Sequence, residues 1–295
     1  MKFKISSDNP NFKSAVGGDN YAIMIPTKGR ADRIRKGFKK MPFLNDWRTY
    51  VGIEHRERDD YQEFMDENPD CNYVFYHNPM GSVSFARQQL KCHADMNHAH
   101  RRLIFTDDNA MFTHESLRML IRSFDDFKRE NKRPCVMAGS HPTSEHFDRN
   151  SRKNMDEHKE TKSYAQPAMI FYCVGQRTAK DYVFPSDTYG LDDRHFFLWL
   201  MKNGVRDFRV CPDAPYSKSR YQKGGQGTID ERMVKCGRAI EKIARDFPKW
   251  AGSTGTLRLP WKLILDTIDG KTPDRLAGGA MRSETELFST GDTNG

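Results

Sequence analysis

The sequence predicts an α/β fold in which helices flank a mostly parallel sheet. Short apolar runs that are typical of buried strands recur between residues 21 and 172 of the 295-residue chain. Segments with helical spacing of apolar residues lie between the first four runs, including those at about 57–66 and 84–99. Strands that alternate with helices imply parallel pairing, so we expect ligands in the loops beyond the carboxyl ends of the strands.

The first predicted strand is 21–25, which Pro26 stops. Residues 28–30 then open a helix with apolar residues at Ile34 and Phe38. The other predicted strands each contain three to five apolar residues, at 50–53, 73–76, 103–105, 135–138 and 168–172.

The second half of the chain is more varied. Residues 141–165 are polar without apolar periodicity, which predicts a long loop. A capping box at 228–231 opens a helix of about five turns, with apolar residues at Ile229, Met233, Cys236, Ile240, Ile243 and Phe247. We therefore expect a main domain over 1–217, a basic lid and helical extension packed on it over 218–265, and a flexible tail over 266–295.

The net charge of +8 is unevenly distributed. Residues 28–40 carry a net charge of +6 and residues 218–262 carry +7, so the rest of the chain is acidic. Two basic segments could converge on a polyanion such as nucleic acid, although many basic surfaces only maintain solubility.

The composition argues against zinc-knuckle, disulfide-rich and membrane-spanning proteins. The six cysteines are far apart without a C-x-x-C motif, so we expect reduced core residues rather than a zinc knuckle or a disulfide framework. No stretch approaches the roughly 18 apolar residues of a membrane span, and the first ten residues lack the apolar centre of a signal peptide. We expect a soluble protein with no membrane partner, located in the cytoplasm, or in the host cytoplasm if it is viral.

Two acids and an amide directly follow the apolar run 103–105. Asp107, Asp108 and Asn109 would present oxygen ligands at the carboxyl end of a strand, which suits a hard divalent ion such as Mg²⁺ or Mn²⁺. The alternative is a turn in which these side chains cap the next helix.

A second acidic pair, Asp192 and Asp193, precedes a strongly apolar helix. Helix N-termini favour carboxylates, so capping alone could explain one of them. Two adjacent acids exceed what a cap requires, and one could act as a general base. His195 is interpreted as a packed histidine that is not a metal ligand.

Two further segments could approach phosphates. Gly81 and Ser82 begin a helix that carries Arg87 one turn in, which suits a diphosphate, although ordinary capping is more common. Residues 218–227 combine bases, an aromatic residue and glycines; they could form a lid over a diphosphate, a strip for a polynucleotide backbone, or a surface linker.

This order of motifs resembles the nucleotide-sugar glycosyltransferases of the GT-A fold, over about residues 20–205. In that family a loop after the first strand and an acid after the second hold the nucleoside, and an Ala-Arg-Asn helix follows. A D-x-D motif then binds the metal and the diphosphate, and an E-D pair faces the acceptor. The resemblance implies that the donor-binding residues are Pro26, Thr27, Lys28, Gly29, Arg30, Glu54, Ser82, Arg87, Asp107 and Asp108.

The same resemblance implies a nucleotide-sugar donor, expected to be UDP-linked, and Mn²⁺ or Mg²⁺ on Asp107 and Asn109. It implies that Asp193 has the position of the acceptor-activating base of inverting members and that Asp192 takes the place of the Glu of E-D. The chain departs from the family where Asn109 ends the D-x-D motif and Gln88 replaces the usual Asn after Ala86-Arg87. No histidine follows His195 to complete a metal shell, so either a weaker metal site or other phosphate ligands later in the chain are expected.

The Ile-Pro-Thr-Lys-Gly-Arg segment, the stretch from Glu54 to Tyr61, the compact size and the basic C-terminal helix resemble the DNA-modifying glycosyltransferases of bacteriophages and the base J glucosyltransferases. This implies transfer of a sugar to the hydroxymethyl group of a modified pyrimidine in DNA. The residues expected to contact DNA or phosphate are Lys218, Arg220, Lys223, Gly224, Gly225, Arg232, Lys235, Arg238 and Lys242.

Two alternatives remain at this point. The same fold could act on a polysaccharide or a lipid-linked acceptor. The chain could instead be a nucleic-acid-binding protein or a metal-dependent nuclease, in which Asp107, Asp108, Asp192 and Asp193 form a two-metal cluster.

Overall fold

The computed structural model describes residues 20–78, 81–96, 102–140, 161–162, 171–188, 191–218 and 229–247. Side chains are described throughout these ranges except at 161–162, 218 and 229–237. The strands are β1 (Tyr21–Pro26), β2 (Thr49–Glu54), β3 (Asn72–Tyr76), β4 (Arg102–Thr106), β5 (Ala110–Phe112), β6 (Cys135–Ser140), β7 (Thr161–Lys162), β8 (Phe171–Gly175) and β9 (Asp207–Lys218). The α-helices are α1 (Ala31–Lys40), α2 (Gln62–Glu67), α3 (Val83–Met96), α4 (His114–Asn131), α5 (Gln176–Ala179), α6 (Asp192–Lys202) and α7 (Ile229–Asp246).

These strands form one sheet in the order β3-β2-β1-β4-β8-β6-β9-β5, and β7 pairs with β9. The half from β3 to β4 is parallel, as predicted. Beyond β4 the sheet is mixed, because β8 runs antiparallel to both β4 and β6 while β6 and β9 are parallel. An antiparallel neighbour needs no helical crossover, which is why the strand and helix alternation of the sequence stops here. The predicted α/β fold is confirmed.

Helices cover both faces of the sheet. Along β1, Ala22 and Met24 face one core together with residues of α3, α6 and α7, such as Leu90 and Phe196. The alternate β1 residues face a second core that α1, α2 and α4 complete. This period-2 alternation is what a strand buried on both faces produces.

Helix α7 has the predicted length, and its described part packs as the apolar spacing predicts. Ile243 and Phe247 are buried against the first core, and Ile240 packs partly against it. Thr228 of the predicted capping box lies outside the described residues, as do the tail 266–295 and most of the predicted loop 141–165. The described part of that loop includes β7, a short strand that its polar sequence did not indicate.

The basic segment 28–40 is largely paired with acids of the same protein. Its ion pairs are Lys28 with Glu54, Arg30 with Asp108, Arg35 with Glu63 and Glu67, and Lys39 with Glu67. Lys36 and Lys40 are exposed. Much of the local excess of positive charge is therefore balanced in the folded state.

Four of the predicted core cysteines are buried and form no disulfide, namely Cys71, Cys135, Cys173 and Cys211. The prediction is wrong for Cys92, which is exposed on α3 because that helix buries Leu90 and Ala94 instead. Within the described ranges, no helix is long and apolar enough to cross a membrane.

Candidate active site

The predicted donor-binding residues that follow β1, β2 and β4 meet at one edge of the sheet, where these strands end. The parallel register places Pro26, the buried last residue of β1, beside Gly52 of β2, and Met24 beside Phe105 of β4. The segment after β1, Thr27–Arg30, therefore lies between the end of β2 and the residues that follow β4. We call this segment the β1 loop.

Two side chains from other elements hold the β1 loop. The hydroxyl of Tyr61 is hydrogen-bonded to Thr27 Oγ1 (2.9 Å) and accepts from the backbone N–H of Arg30 (3.0 Å). Thr27 Oγ1 also donates to Asp108 Oδ2 (3.0 Å), and Arg30 Nη1 donates to Asp108 Oδ1 (2.8 Å). Burial raises the pKa of Tyr61 to about 12, so its hydroxyl keeps its proton. The loop is thus fixed to both the β2–α2 connection and the end of β4.

The middle of the β1 loop is held by two glutamates. Lys28 Nζ lies 3.4 Å from Glu54 Oε2, and Gly29 N donates to Glu57 Oε2 (2.7 Å). Gly29 has φ of +61°, a left-handed conformation that favours glycine. Burial raises the pKa of Glu57, partly offset by the hydrogen bond from Gly29. Glu54, the predicted nucleoside-binding acid, is buried and lies against Lys28.

Asp108 faces the β1 loop, and only 5% of its side chain is exposed. Burial raises its pKa, and the nearby Arg30 opposes the rise. Its contacts with Thr27 and Arg30 make it a support for the loop. Among the motif residues Asp107 to Asn109, Asp107 is the one whose carboxylate reaches Arg87.

Arg87 connects the two predicted acidic clusters. This buried guanidinium donates through Nη2 to Asp107 Oδ1 (2.9 Å) and through Nη1 to Asp192 Oδ2. One guanidinium therefore contacts an acid from each of the two clusters. The burial of Arg87 follows from its place on α3, on the same face as Leu90 and Ala94.

Asp192 and Asp193 are the first two residues of α6, and their environments differ. Asp192 is 2% exposed and pairs with Arg87, whereas Asp193 is half-buried and accepts from Arg194 N (2.8 Å). Burial raises the pKa of both carboxyls; Arg87 opposes the rise at Asp192 and Arg194 opposes it at Asp193. Asp192 therefore has a fixed cationic partner, while Asp193 is the more accessible base of the pair.

The chemistry of Asp107 and Asn109 fits a hard divalent cation. Both supply oxygen donors, and 22% of the Asp107 side chain is exposed. Among the residues with described positions, no three His, Cys, Asp or Glu side chains form a metal-binding group, so a two-metal cluster is not observed there. A site with two protein ligands leaves the remaining positions to phosphate oxygens and water, as is common for Mg²⁺.

Ser82 caps the start of α3, which is the structural alternative that the sequence analysis left open. Its buried hydroxyl accepts from Ser84 N (3.2 Å) at the start of α3, and its own N–H donates to Asn78 Oδ1 (3.1 Å). These contacts are typical of helix capping. A contact between Ser82 and a donor stays a prediction.

The predicted phosphate-binding residues are described only in part. Arg220, Lys223, Gly224 and Gly225 lie outside the described residues, and only the backbone of Lys218, Arg232 and Lys235 is described. Arg238 is exposed, whereas Lys242 pairs with Asp246 (2.9 Å) and lies 3.8 Å from Asp187. Lys242 therefore helps to hold α7 in place, a role that sequence reasoning missed.

His195 is packed, as predicted. Its Nδ1 is hydrogen-bonded to the hydroxyl of Tyr182 (2.9 Å) and its Nε2 to Asp246 Oδ2 (3.0 Å). Burial lowers the pKa of His195, and Asp246 opposes that shift. This chain of contacts joins α6, which carries the acidic pair, to α7.

Comparison of the chain with known protein-family models and with curated proteins gave no match. Solved structures do resemble it. Residues 1–349 of TarS from S. aureus, in complex with UDP, align with a TM-score of 0.52 at 14% identity, covering 84% of this chain and 69% of that one. Glucosyl-3-phosphoglycerate synthase from Mycobacterium tuberculosis, in complex with Mn²⁺, UDP and phosphoglyceric acid, aligns with a TM-score of 0.52 at 9% identity, covering 77% and 78%. At these identities the likeness establishes the fold alone, and the chain has a GT-A-type α/β fold like these two proteins.

Proposed function

We propose that the protein is a glycosyltransferase that moves a sugar from a UDP-linked donor to a hydroxyl group. The observation that carries the proposal is the position of Arg87, which brings Asp107 and Asp192 together beside the β1 loop. Two proteins of the same fold were crystallised with UDP, one of them also with Mn²⁺, which supports this donor class and a divalent metal.

In this proposal the β1 loop and Glu54 bind the nucleoside of the donor. Backbone groups of a loop that is fixed in advance lose little conformational freedom on binding, so the contacts from Tyr61 and Asp108 favour donor binding. The ion pairs of Lys28 with Glu54 and of Arg30 with Asp108 also hold the loop in position for the donor.

Asp107 and Asn109 would hold the metal ion. When bound, Mn²⁺ or Mg²⁺ neutralises the charge that develops on the departing diphosphate. Arg87 places a second positive charge beside Asp107, so the carboxylates of the site are not left to repel one another.

Asp193 is the proposed general base. It takes the proton from the acceptor hydroxyl while the hydroxyl oxygen bonds to the anomeric carbon, and the bond from that carbon to the phosphate oxygen breaks to release UDP. Asp192 supports this base by holding Arg87 at the start of α6.

For the acceptor, we propose a hydroxymethylated pyrimidine in DNA. The support is the net charge of +7 over residues 218–262, which includes the exposed Arg238 on α7. A base inside a duplex cannot reach a pocket at a sheet edge, so the target base would be flipped out of the helix. Basic residues of the extension 218–265 would bind DNA phosphates and contribute affinity rather than sequence specificity.

The test incubates the protein and Mn²⁺ with UDP-sugars and with DNA that contains cytosine, hydroxymethylcytosine or hydroxymethyluracil. Mass spectrometry of the released nucleosides should show a hexose or pentose added to a hydroxymethylated base. If the wild-type protein consumes donor without a mass gain on any DNA, the DNA acceptor is wrong and glycan and lipid-linked hydroxyls are the next acceptors to test. Cleavage of DNA with Mg²⁺ alone would instead indicate a nuclease.

A further inference from the structure

Two polar atoms beside the acidic pair are buried without a hydrogen-bond partner among the described residues. They are the hydroxyl oxygen of Tyr172 and Nε of Arg87. Tyr172 is 0% exposed and Arg87 is 5% exposed, so bulk solvent does not reach either group. Buried polar groups are nearly always paired, and an unpaired one indicates a missing water or ligand, or a functional role.

The Tyr172 ring is held firmly, so its hydroxyl has little freedom to find a partner by rotating elsewhere. Tyr172 lies on β8 directly opposite Phe105 of β4, and the two rings stack with centroids 4.9 Å apart. The ring also contacts Phe196 and Phe197 of α6. The side chain is thus fixed between the sheet and the helix that begins with the acidic pair.

The surroundings of the Tyr172 hydroxyl are those of the candidate active site. Burial raises its pKa well above the usual value; the charge of Arg87 opposes the rise, and those of Asp192 and Asp193 add to it. A phenylalanine would make the same ring contacts without burying a hydroxyl. The hydroxyl therefore serves no visible packing purpose in the described part of the chain.

We propose that Tyr172 and Nε of Arg87 form a subsite that binds a hydroxyl group of the substrate next to Asp193. This inference rests on the proposed glycosyltransferase function and deepens it. Nε–H of Arg87 can only donate, the tyrosine hydroxyl can donate or accept, and the Asp193 carboxylate accepts. A substrate hydroxyl both donates and accepts, so it complements this set of groups. Tyr172 is then a substrate-binding residue, and the hydroxyl belongs either to the transferred sugar or to the acceptor.

The test compares Tyr172→Phe with Tyr182→Phe as the matched control. Tyr182 is equally buried in the same core, but its hydroxyl is bonded to His195 Nδ1. Tyr172→Phe should leave the melting temperature unchanged or raise it by about 2–4 °C, since it removes an unpaired buried hydroxyl, while kcat/KM falls about tenfold. Tyr182→Phe should lower the melting temperature, because it breaks an existing hydrogen bond.

Kinetic measurements on the UDP-sugar and on the acceptor identify which substrate supplies the hydroxyl. If the sugar supplies it, Tyr172→Phe should raise KM for the UDP-sugar and slow the release of UDP in the absence of acceptor. If the acceptor supplies it, these two quantities stay at the wild-type values and only kcat/KM for the acceptor falls. Unchanged turnover on both substrates, or a lower melting temperature for Tyr172→Phe, would overturn the subsite.

Failure of the proposed function would be recognised separately, by a wild-type protein that transfers no sugar. The subsite is then judged by isothermal titration of UDP-glucose against UDP. A gain in affinity from the glucose that Tyr172→Phe abolishes supports a subsite for the sugar hydroxyl, and the same comparison of hydroxymethylated with unmodified DNA tests a subsite for the acceptor hydroxyl. If Tyr172→Phe changes neither difference in affinity, the subsite is overturned.

Discussion

Arg87 forms an ion pair with Asp192 inside the protein, although the two residues are 105 positions apart in the chain. The same guanidinium reaches Asp107 at the end of β4. One cation therefore holds a strand end and a helix start in a fixed relation. The predictions below separate the residues that stabilise this arrangement from those that would act on a substrate.

Asp192→Asn should destabilise the protein, whereas Asp193→Asn should not. Removing one partner from a buried ion pair costs about 3–5 kcal/mol, because the remaining charge stays buried. Asp193 has no such fixed pair with Arg87, and burial disfavours its charge. Urea denaturation of both variants gives the free energies of unfolding. Equal losses of stability would contradict the different roles assigned to the two acids.

Asp193→Asn should abolish most of the turnover while the protein still binds UDP. Loss of a general base lowers rates by about 10²- to 10⁴-fold, and the amide of Asn cannot take a proton from the acceptor. The measurement pairs steady-state turnover with titration of UDP. Turnover close to that of the wild type would remove Asp193 as the base.

In a plot of kcat/KM against pH, the rise on the acid side should occur at a higher pH than for a general base with the usual pKa of an aspartate. Burial raises the pKa of Asp193 above 3.8, and only the ionised carboxylate can accept a proton, so kcat/KM should rise with pH through that raised pKa. The raised pKa also contributes stability at low pH, which is lost as the pH rises through it. A rise at or below pH 3.8, with UDP affinity constant over the range, would argue against this assignment.

Tyr61→Phe should weaken UDP binding about threefold to tenfold, because it removes the hydroxyl that contacts both Thr27 and Arg30. Tyr73→Phe is the control, since the Tyr73 hydroxyl donates to Asn68 O (2.7 Å) away from the β1 loop. Titration calorimetry on both variants tests this expectation. If the two substitutions have the same effect on the affinity for UDP, the β1 loop does not depend on Tyr61.

Asp107→Asn should weaken the binding of Mn²⁺ in the presence of UDP and reduce turnover. The substitution removes the carboxylate of the predicted metal site, which is 22% exposed, and a neutral amide is a poorer ligand for a hard cation. Titration of Mn²⁺ with and without UDP gives the affinities. Wild-type activity that is undiminished in EDTA would rule out the metal.

The sequence predicts the carboxyl ends of β1 and β4 well, because apolar runs stop abruptly before Asp107 and after Ile25, whereas β8 ends at Gly175 and not at the predicted residue 172. The contacts that hold these strand ends to other elements could not be predicted from the sequence. The contacts of Arg87 with Asp107 and Asp192 join residues that are distant in the chain, and no local pattern encodes them.

The roles of Tyr61 and Tyr172 could not be predicted from the sequence either. Each lies in a segment whose composition only indicates a helix or a buried strand, yet Tyr61 bonds the β1 loop and the Tyr172 hydroxyl is buried without a hydrogen-bond partner among the described residues. Whether a buried hydroxyl has a partner depends on tertiary geometry. The exposed Cys92 is similar, since one residue carries no periodicity that could place it on a helix face.

The ion pairs of residues 28–40 have a consequence for binding to a polyanion. A cation that already faces a carboxylate has little capacity to replace the counterions condensed around nucleic acid, and their release makes such binding depend on salt. The slope of DNA affinity against salt concentration should therefore reflect few of these charges. The salt dependence of DNA affinity would then measure how many cations of residues 218–262 contact DNA phosphates.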